Sequence, residues 1–165
     1  MGKLEPQPLS YVDAAPFTVT ASYLSPTPAA TVFEVLKDNP GGVNWMGSFV
    51  TKVRSTSDPE HGVGATREVT FLWGLGKLKE RFVGWEEPSL WSFTAVGFRP
   101  KVFSRFVERV RIEPVDDASS RIHYSMGSEL SPLFKPLAPL IRRWFDGAAL
   151  TTLRGLSEQA VKRTS

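Results

Sequence analysis

The chain has 165 residues, room for one domain, and its apolar and charged fractions of 41% and 22% are those of a folded globular protein rather than a disordered one. A net charge of +3 without any block of five like charges argues against a nucleic-acid binder, and zero Cys removes disulfides, thiol chemistry and Cys-ligated metals. No stretch approaches the roughly 18 apolar residues that span a membrane. The N-terminus has no apolar signal core, and Pro6 stands where a myristoylation signal wants Ser or Thr, so a cytoplasmic protein is expected.

Residues 1–15 are rich in Pro and small side chains and read as an arm. Phe17–Leu24 alternates Phe17, Val19, Ala21 and Tyr23 with Thr18, Thr20 and Ser22, the pattern of a strand with one buried face. Ser25–Pro28 predicts a helix start with Thr27 as N-cap and Pro28 as its first residue. Val32, Phe33 and Leu36 make its apolar face, and the run from Asp38 to Gly42 ends it. Trp45 falls in a second short helix or turn. Six more strands are expected: Phe49–Ser55, Ala65–Trp73, Lys77–Trp85, Leu90–Val96, Phe103–Glu113 and Arg121–Leu130. The short, Gly- and Pro-rich connections between them predict hairpins and an antiparallel meander. From Pro139 to Lys162 the pattern becomes helical. Phe134, Leu137, Ile141, Trp144, Phe145, Ala148 and Thr152 fall on one face of a rod about 36 Å long.

Strand alternation assigns an inner face. Ala65, Arg67, Val69, Phe71 and Trp73 share one side of the third strand; Leu78, Glu80 and Phe82 share one side of the fourth. Trp91, Phe93 and Ala95 follow on the fifth, Phe106, Glu108, Val110 and Ile112 on the sixth, and Ile122, Tyr124 and Met126 on the seventh. Three charges, Arg67, Glu80 and Glu108, fall on this face, and a lone charge in an apolar interior is costly. They sit at strand ends or pair structurally, or they orient the polar group of a ligand, or they form an acid/base pair. The hairpin tip Trp73–Gly76 is either plain turn chemistry or a gate over a cavity mouth, and Phe98 and Phe103 flank the same opening.

The order β, α-α, six β, long α is that of an α+β helix-grip fold, a curved antiparallel sheet wrapped around a long C-terminal helix with two short helices after the first strand. The stretch GATREVTFLWGLGKLKERFVGWEEPSLWSF, with Gly64–Val69, Glu80-Arg81 and Ile112–Pro114, resembles the SRPBCC superfamily of START-like and polyketide cyclase/dehydrase-like proteins over residues 17–160. The resemblance implies one ligand-binding domain over residues 16–165. In the plant abscisic-acid receptors, a related branch, the Glu of a similar Glu-Arg segment faces the ligand, which implies the same for Glu80. Those receptors also use an inward Lys, but Gly47 stands near that place here, so abscisic acid is not implied.

Catalytic motifs are thin. Neither His61 nor His123 has carboxylates at metal spacing, and there is no P-loop, no nucleophile elbow and no dinucleotide fingerprint. No cofactor, metal site or catalytic residue is therefore expected. The predicted role is binding or transport of a hydrophobic small molecule such as a lipid, quinone or aromatic polyketide, with oligomeric state open. The expected cavity wall consists of Arg67, Val69, Phe71, Trp73, Leu75, Glu80, Phe82, Trp91, Phe93, Phe106, Glu108, Tyr124, Met126, Ile141, Trp144 and Ala148. Two alternatives stand beside it. One is a cyclase or dehydratase-like enzyme using Glu108 and Tyr124. The other is an interaction module whose aromatic interior is packed shut.

Overall fold

The alternating segments from Phe17 onward all become strands of one antiparallel sheet. The computed structural model describes residues 1–165. Its strands are β1 (Gly2–Lys3), β2 (Phe17–Ser25), β3 (Val50–Ser55), β4 (Thr66–Phe71), β5 (Gly76–Glu86), β6 (Leu90–Arg99), β7 (Phe103–Pro114) and β8 (Ser120–Leu130). Their order in the sheet is β2-β8-β7-β6-β5-β4-β3, with β1 paired to β6. The helices are α1 (Tyr11–Ala14), α2 (Ala29–Lys37) and α3 (Ala138–Thr164), with short 3-10 turns at Pro40–Asn44, Leu72–Gly74 and Pro132–Leu137. This is the helix-grip fold.

Local chemistry moves one boundary. The Thr27 hydroxyl bonds Ser25 Oγ at 2.8 Å instead of capping a helix, so Pro28 takes the N-cap position and α2 begins one residue later than expected. The residues before Pro16 are not a loose arm. Gly2–Lys3 pair with β6 and Leu4 joins the core, while further along the Gln7 N–H donates to Thr94 Oγ1 at 2.9 Å and Val12 is buried against the outer face of the sheet. Gly127 permits this approach, since a Cβ there would lie 2.6 Å from the Cα of Val12.

α3 changes character along its length. Its C-terminal half buries Leu153, Leu156 and Ala160 against β2 and α2. Gly155 lets the helix run against the chain at Trp45, because a Cβ would meet the Trp45 carbonyl oxygen at 2.8 Å. Toward the N-terminus the contact loosens: Ile141, Phe145 and Ala148 are half-buried, and Leu140 and Trp144 are exposed. Phe134 and Leu137 belong to the preceding 3-10 turn rather than to the helix stripe. The core therefore has a closed end, built from Phe33, Leu36, Phe82, Trp91, Ile112, Ile122, Leu153 and Leu156, and an open end under the start of α3.

Candidate functional site

Where the N-terminal half of α3 stands off the sheet, a cavity of about 690 Å³ separates the two. Strand alternation supplies one wall: Val69, Phe71, Leu78 and Glu80 from β4 and β5, Phe93 and Phe98 from β6, Phe103, Phe106 and Glu108 from β7, and Tyr124 from β8. The helix stripe supplies the other through Ile141, Trp144, Phe145, Ala148, Ala149 and Thr152. Trp45, Met46, Phe49 and Val50 close the side next to β3. At the mouth the Trp144 ring lies 5.4 Å from Phe49 and 4.8 Å from Phe145, with 52% of the residue exposed. Twenty of the 24 lining residues are apolar, and the volume lies within the roughly 300–1,000 Å³ typical of small-molecule sites.

The polar groups gather away from the mouth. Arg67 is fully buried, and its Nε donates to Glu80. Its Nη1 reaches Asn39 Oδ1 at 3.4 Å, and its guanidinium lies 4.6 Å from the centre of a Trp91 ring, with Phe82 and Phe93 at 5.5 and 5.7 Å. Such a cage holds a cation through the negative faces of the rings. Burial pushes the Glu80 carboxyl up, and the charge and hydrogen bond of Arg67 work against that rise. Glu108 has no cation bonded to it. Burial, reinforced by the charge of Glu80, raises its carboxyl to about 8 against the opposing effects of Arg67 and of the adjoining Tyr124 hydroxyl. The Tyr124 phenol is itself pushed well up, by burial first and by Glu108 second. At neutral pH the deep end therefore presents a protonated carboxylic acid beside a phenol, both able to donate and to accept.

Ten of the sixteen expected site residues meet at this cavity: Val69, Phe71, Glu80, Phe93, Phe106, Glu108, Tyr124, Ile141, Trp144 and Ala148. Arg67, Phe82, Trp91 and Met126 lie on the inner face but in the closed end of the core, where helix α2 and the C-terminal half of α3 leave no space. Trp73 and Leu75 are corrections: both point to solvent, 87% and 74% exposed. Leu72 and Trp73 adopt left-handed φ values of 49° and 52°, so the period-2 alternation ends at Phe71. The tip is fastened by Arg99, which donates to Gly74 O at 2.7 Å and Leu75 O at 3.2 Å. Met46, Val50, Pro100 and Val102 were not legible as wall residues. They belong to turns, or to a strand edge with a register shift at Val50–Lys52, where no periodicity assigns a face.

The comparisons with known proteins agree with this fold. Residues 16–161 match the family described as "Polyketide cyclase / dehydrase and lipid transport", and the chain belongs to that family. Among solved structures it is similar to TTHA0849 from Thermus thermophilus, with 19% identity and a TM-score of 0.72, covering 90% of this chain and 99% of that one. An aromatase/cyclase from Streptomyces sp. R1128 aligns with 13% identity and a TM-score of 0.72, covering 90% and 95%. Norcoclaurine synthase from Thalictrum flavum, solved with a transition-state analogue, aligns with 18% identity and a TM-score of 0.68, covering 90% and 96%. These likenesses are of fold. No curated protein sequence matches the chain.

Proposed function

We propose that the protein binds a hydrophobic small molecule between α3 and the sheet, with the ligand's polar end at Glu108 and Tyr124. The observation that carries this reading is the combination of an apolar wall of ordinary ligand-site volume with one polar corner at its deep end. A protonated acid and a phenol favour a neutral oxygen function, a carbonyl or hydroxyl, over a carboxylate, whose charge would have no cation left to balance it because Arg67 is already paired with Glu80. The family's description, which includes lipid transport, supports the same class of ligand. An interior packed shut does not fit a void of this size.

The test is uptake of a hydrophobic fluorophore or lipid-like ligand by the wild-type protein and by Ala148→Trp, whose indole would occupy the cavity from the α3 wall. Saturable one-to-one uptake that falls in the variant, with far-ultraviolet circular dichroism unchanged, is expected. No saturable uptake across sterols, fatty acids, quinones and aromatic polyketides would overturn the reading.

A second reading rests on Glu108 itself. A carboxyl near 8 beside a phenol is poised for proton transfer at neutral pH, which suits a cyclase or dehydratase-like step on a carbonyl substrate. The aromatase/cyclase with the same fold is consistent with it. Turnover that is lost in Glu108→Gln while binding persists separates this reading from pure transport.

A further inference from the structure

The end of the molecule that carries the cavity mouth has an unusual surface. Four segments meet there: residues 45–50 ahead of β3, 71–75 at the β4–β5 tip, 97–103 at the β6–β7 turn, and 131–145 leading into α3. Their contiguity is visible in the contacts. The Leu72 N–H donates to Phe49 O at 2.9 Å, Arg99 holds the β4–β5 tip, the Ser131 N–H donates to Val102 O at 2.9 Å, and the Trp144 ring touches Phe49. These segments expose large apolar side chains, including Trp73, Leu75, Leu133 at 81% and Leu140 at 67%. Of the chain's 17 Asp and Glu none falls in them, while five of its 20 Lys and Arg do: Arg99, Lys101, Lys135, Arg142 and Arg143. The ion pairs of the structure use none of these five. Since the whole chain carries only +3, the rest of the molecule is net acidic, and the positive charge is concentrated around the apolar rim.

We propose that this rim docks on the surface of an anionic lipid bilayer, with Trp73, Leu75 and Leu133 entering the interface and the basic side chains resting on lipid headgroups. Exposed Trp beside Lys and Arg is the composition that seats a protein at the boundary between headgroups and acyl chains. Arg99 and Arg142 are engaged with backbone carbonyls, whereas Lys101, Lys135 and Arg143 are exposed without an ion-pair partner, and at a negative membrane surface they add attraction. The indole of Trp73 is held outward by its left-handed backbone and by the Arg99 clasp on the tip, so the docking element is formed before contact. Because Leu140, Trp144 and Leu72 line the cavity as well as the rim, docking would place the cavity mouth against the bilayer. The inference goes beyond ligand binding and stands independently of it.

The experiment is co-sedimentation of the whole protein with vesicles of phosphatidylcholine alone or of equimolar phosphatidylcholine and phosphatidylserine, at low and raised salt. Three proteins are compared: wild type, Trp73→Ser/Leu75→Ser, and Lys101→Gln/Lys135→Gln. All four positions are exposed and lie outside the cavity wall, so folding is unaffected, which the melting curve checks. Wild type is expected to bind the anionic vesicles and to release from them as salt rises. The Lys pair should lose affinity about thirty-fold, near five-fold per charge, and the apolar pair at least ten-fold. Tryptophan emission should move to shorter wavelength on binding, and less so in the apolar pair. Wild type that ignores anionic vesicles overturns the proposal, as does equal binding by all three proteins. A dimer that the same substitutions dissociate, without vesicle binding, overturns it in favour of a self-interface. Vesicle binding needs no cavity ligand, so a failure of fluorophore uptake leaves this result readable.

Discussion

Replacing Glu108 by Gln should change how stability depends on pH more than it changes the fold. The folded-state carboxyl stands at about 8, against 4.5 for the ordinary group. The folded protein thus binds a proton that the unfolded chain has released, so the stabilisation is fully present below about pH 4.5 and is lost as pH rises to 8. A rise of that size corresponds to about 5 kcal/mol in total, most of it lost before pH 7. For a chain of this length each kcal/mol shifts the melting temperature by roughly 2–4 °C, so the full effect is about 10 °C or more. Glu80 moves in the same direction and keeps part of the slope, since the two carboxyls titrate together. Carboxylates held low by cations, such as Glu68 beside Lys77 and Arg54, lose their contribution only as pH falls, and they cancel in the difference between wild type and variant. The assay is thermal unfolding of both proteins from pH 4 to 9. The wild-type curve should fall relative to the variant's from about pH 4.5 upward and run parallel to it again above about pH 8, with Glu108→Gln the more stable protein at neutral and alkaline pH. Parallel curves across this range would refute a buried protonated Glu108.

Arg67→Met should destabilise by about 3–5 kcal/mol, because it leaves Glu80 buried without its cation; denaturant unfolding measures this, and Arg67→Met/Glu80→Gln should recover much of the loss. Trp144 was legible as a buried stripe residue but is half exposed at the mouth, so Trp144→Ala should cost only about 1–2 kcal/mol while weakening ligand uptake. Trp91→Ala, in the closed end of the core, should cost about 3–5 kcal/mol. Equal losses at the two tryptophans would show that α3 lies flat on the sheet along its whole length.

The fold was readable because its signals are periodic. Alternation alone places Arg67, Glu80, Glu108 and Tyr124 on the inner face of four strands, and three- and four-residue steps place Ile141, Phe145 and Ala148 on the inner face of the helix. Periodicity says which way a side chain points; it does not say whether space lies in front of it. Trp91, Phe82 and Met126 point inward as surely as Phe93 and Phe106, yet α2 and the C-terminal half of α3 fill the space before them. The failure at Trp73 is of another kind. A left-handed turn begins at Leu72, and a non-glycine residue in that conformation leaves no sequence signal that an alternating strand has stopped.

Three inward-facing ionisable groups, Arg67 and Glu80 buried and Glu108 half-buried at the cavity wall, form a set whose members explain one another. A guanidinium is not deprotonated inside a protein, so Arg67 brings one positive charge into the core, and only one negative charge can be balanced there. Glu80 bonds that cation directly, whereas Glu108 does not and sits near Glu80 as well. The interior is electroneutral when Glu80 is ionised and Glu108 keeps its proton. Arg67 is therefore a positioning residue: it fixes the negative charge on Glu80 at the cavity wall and leaves Glu108, beside Tyr124, as the neutral acid facing the void. Exchanging the roles by Glu80→Gln should show this. With Glu80 neutral, Arg67 loses its partner, the repulsion that adds to the effect of burial on Glu108 disappears, and the Glu108 carboxyl should fall. Carbon-13 detection of the Glu108 carboxyl in wild type and Glu80→Gln reads the shift directly, and a Glu108 titration unmoved by the substitution would refute the coupling.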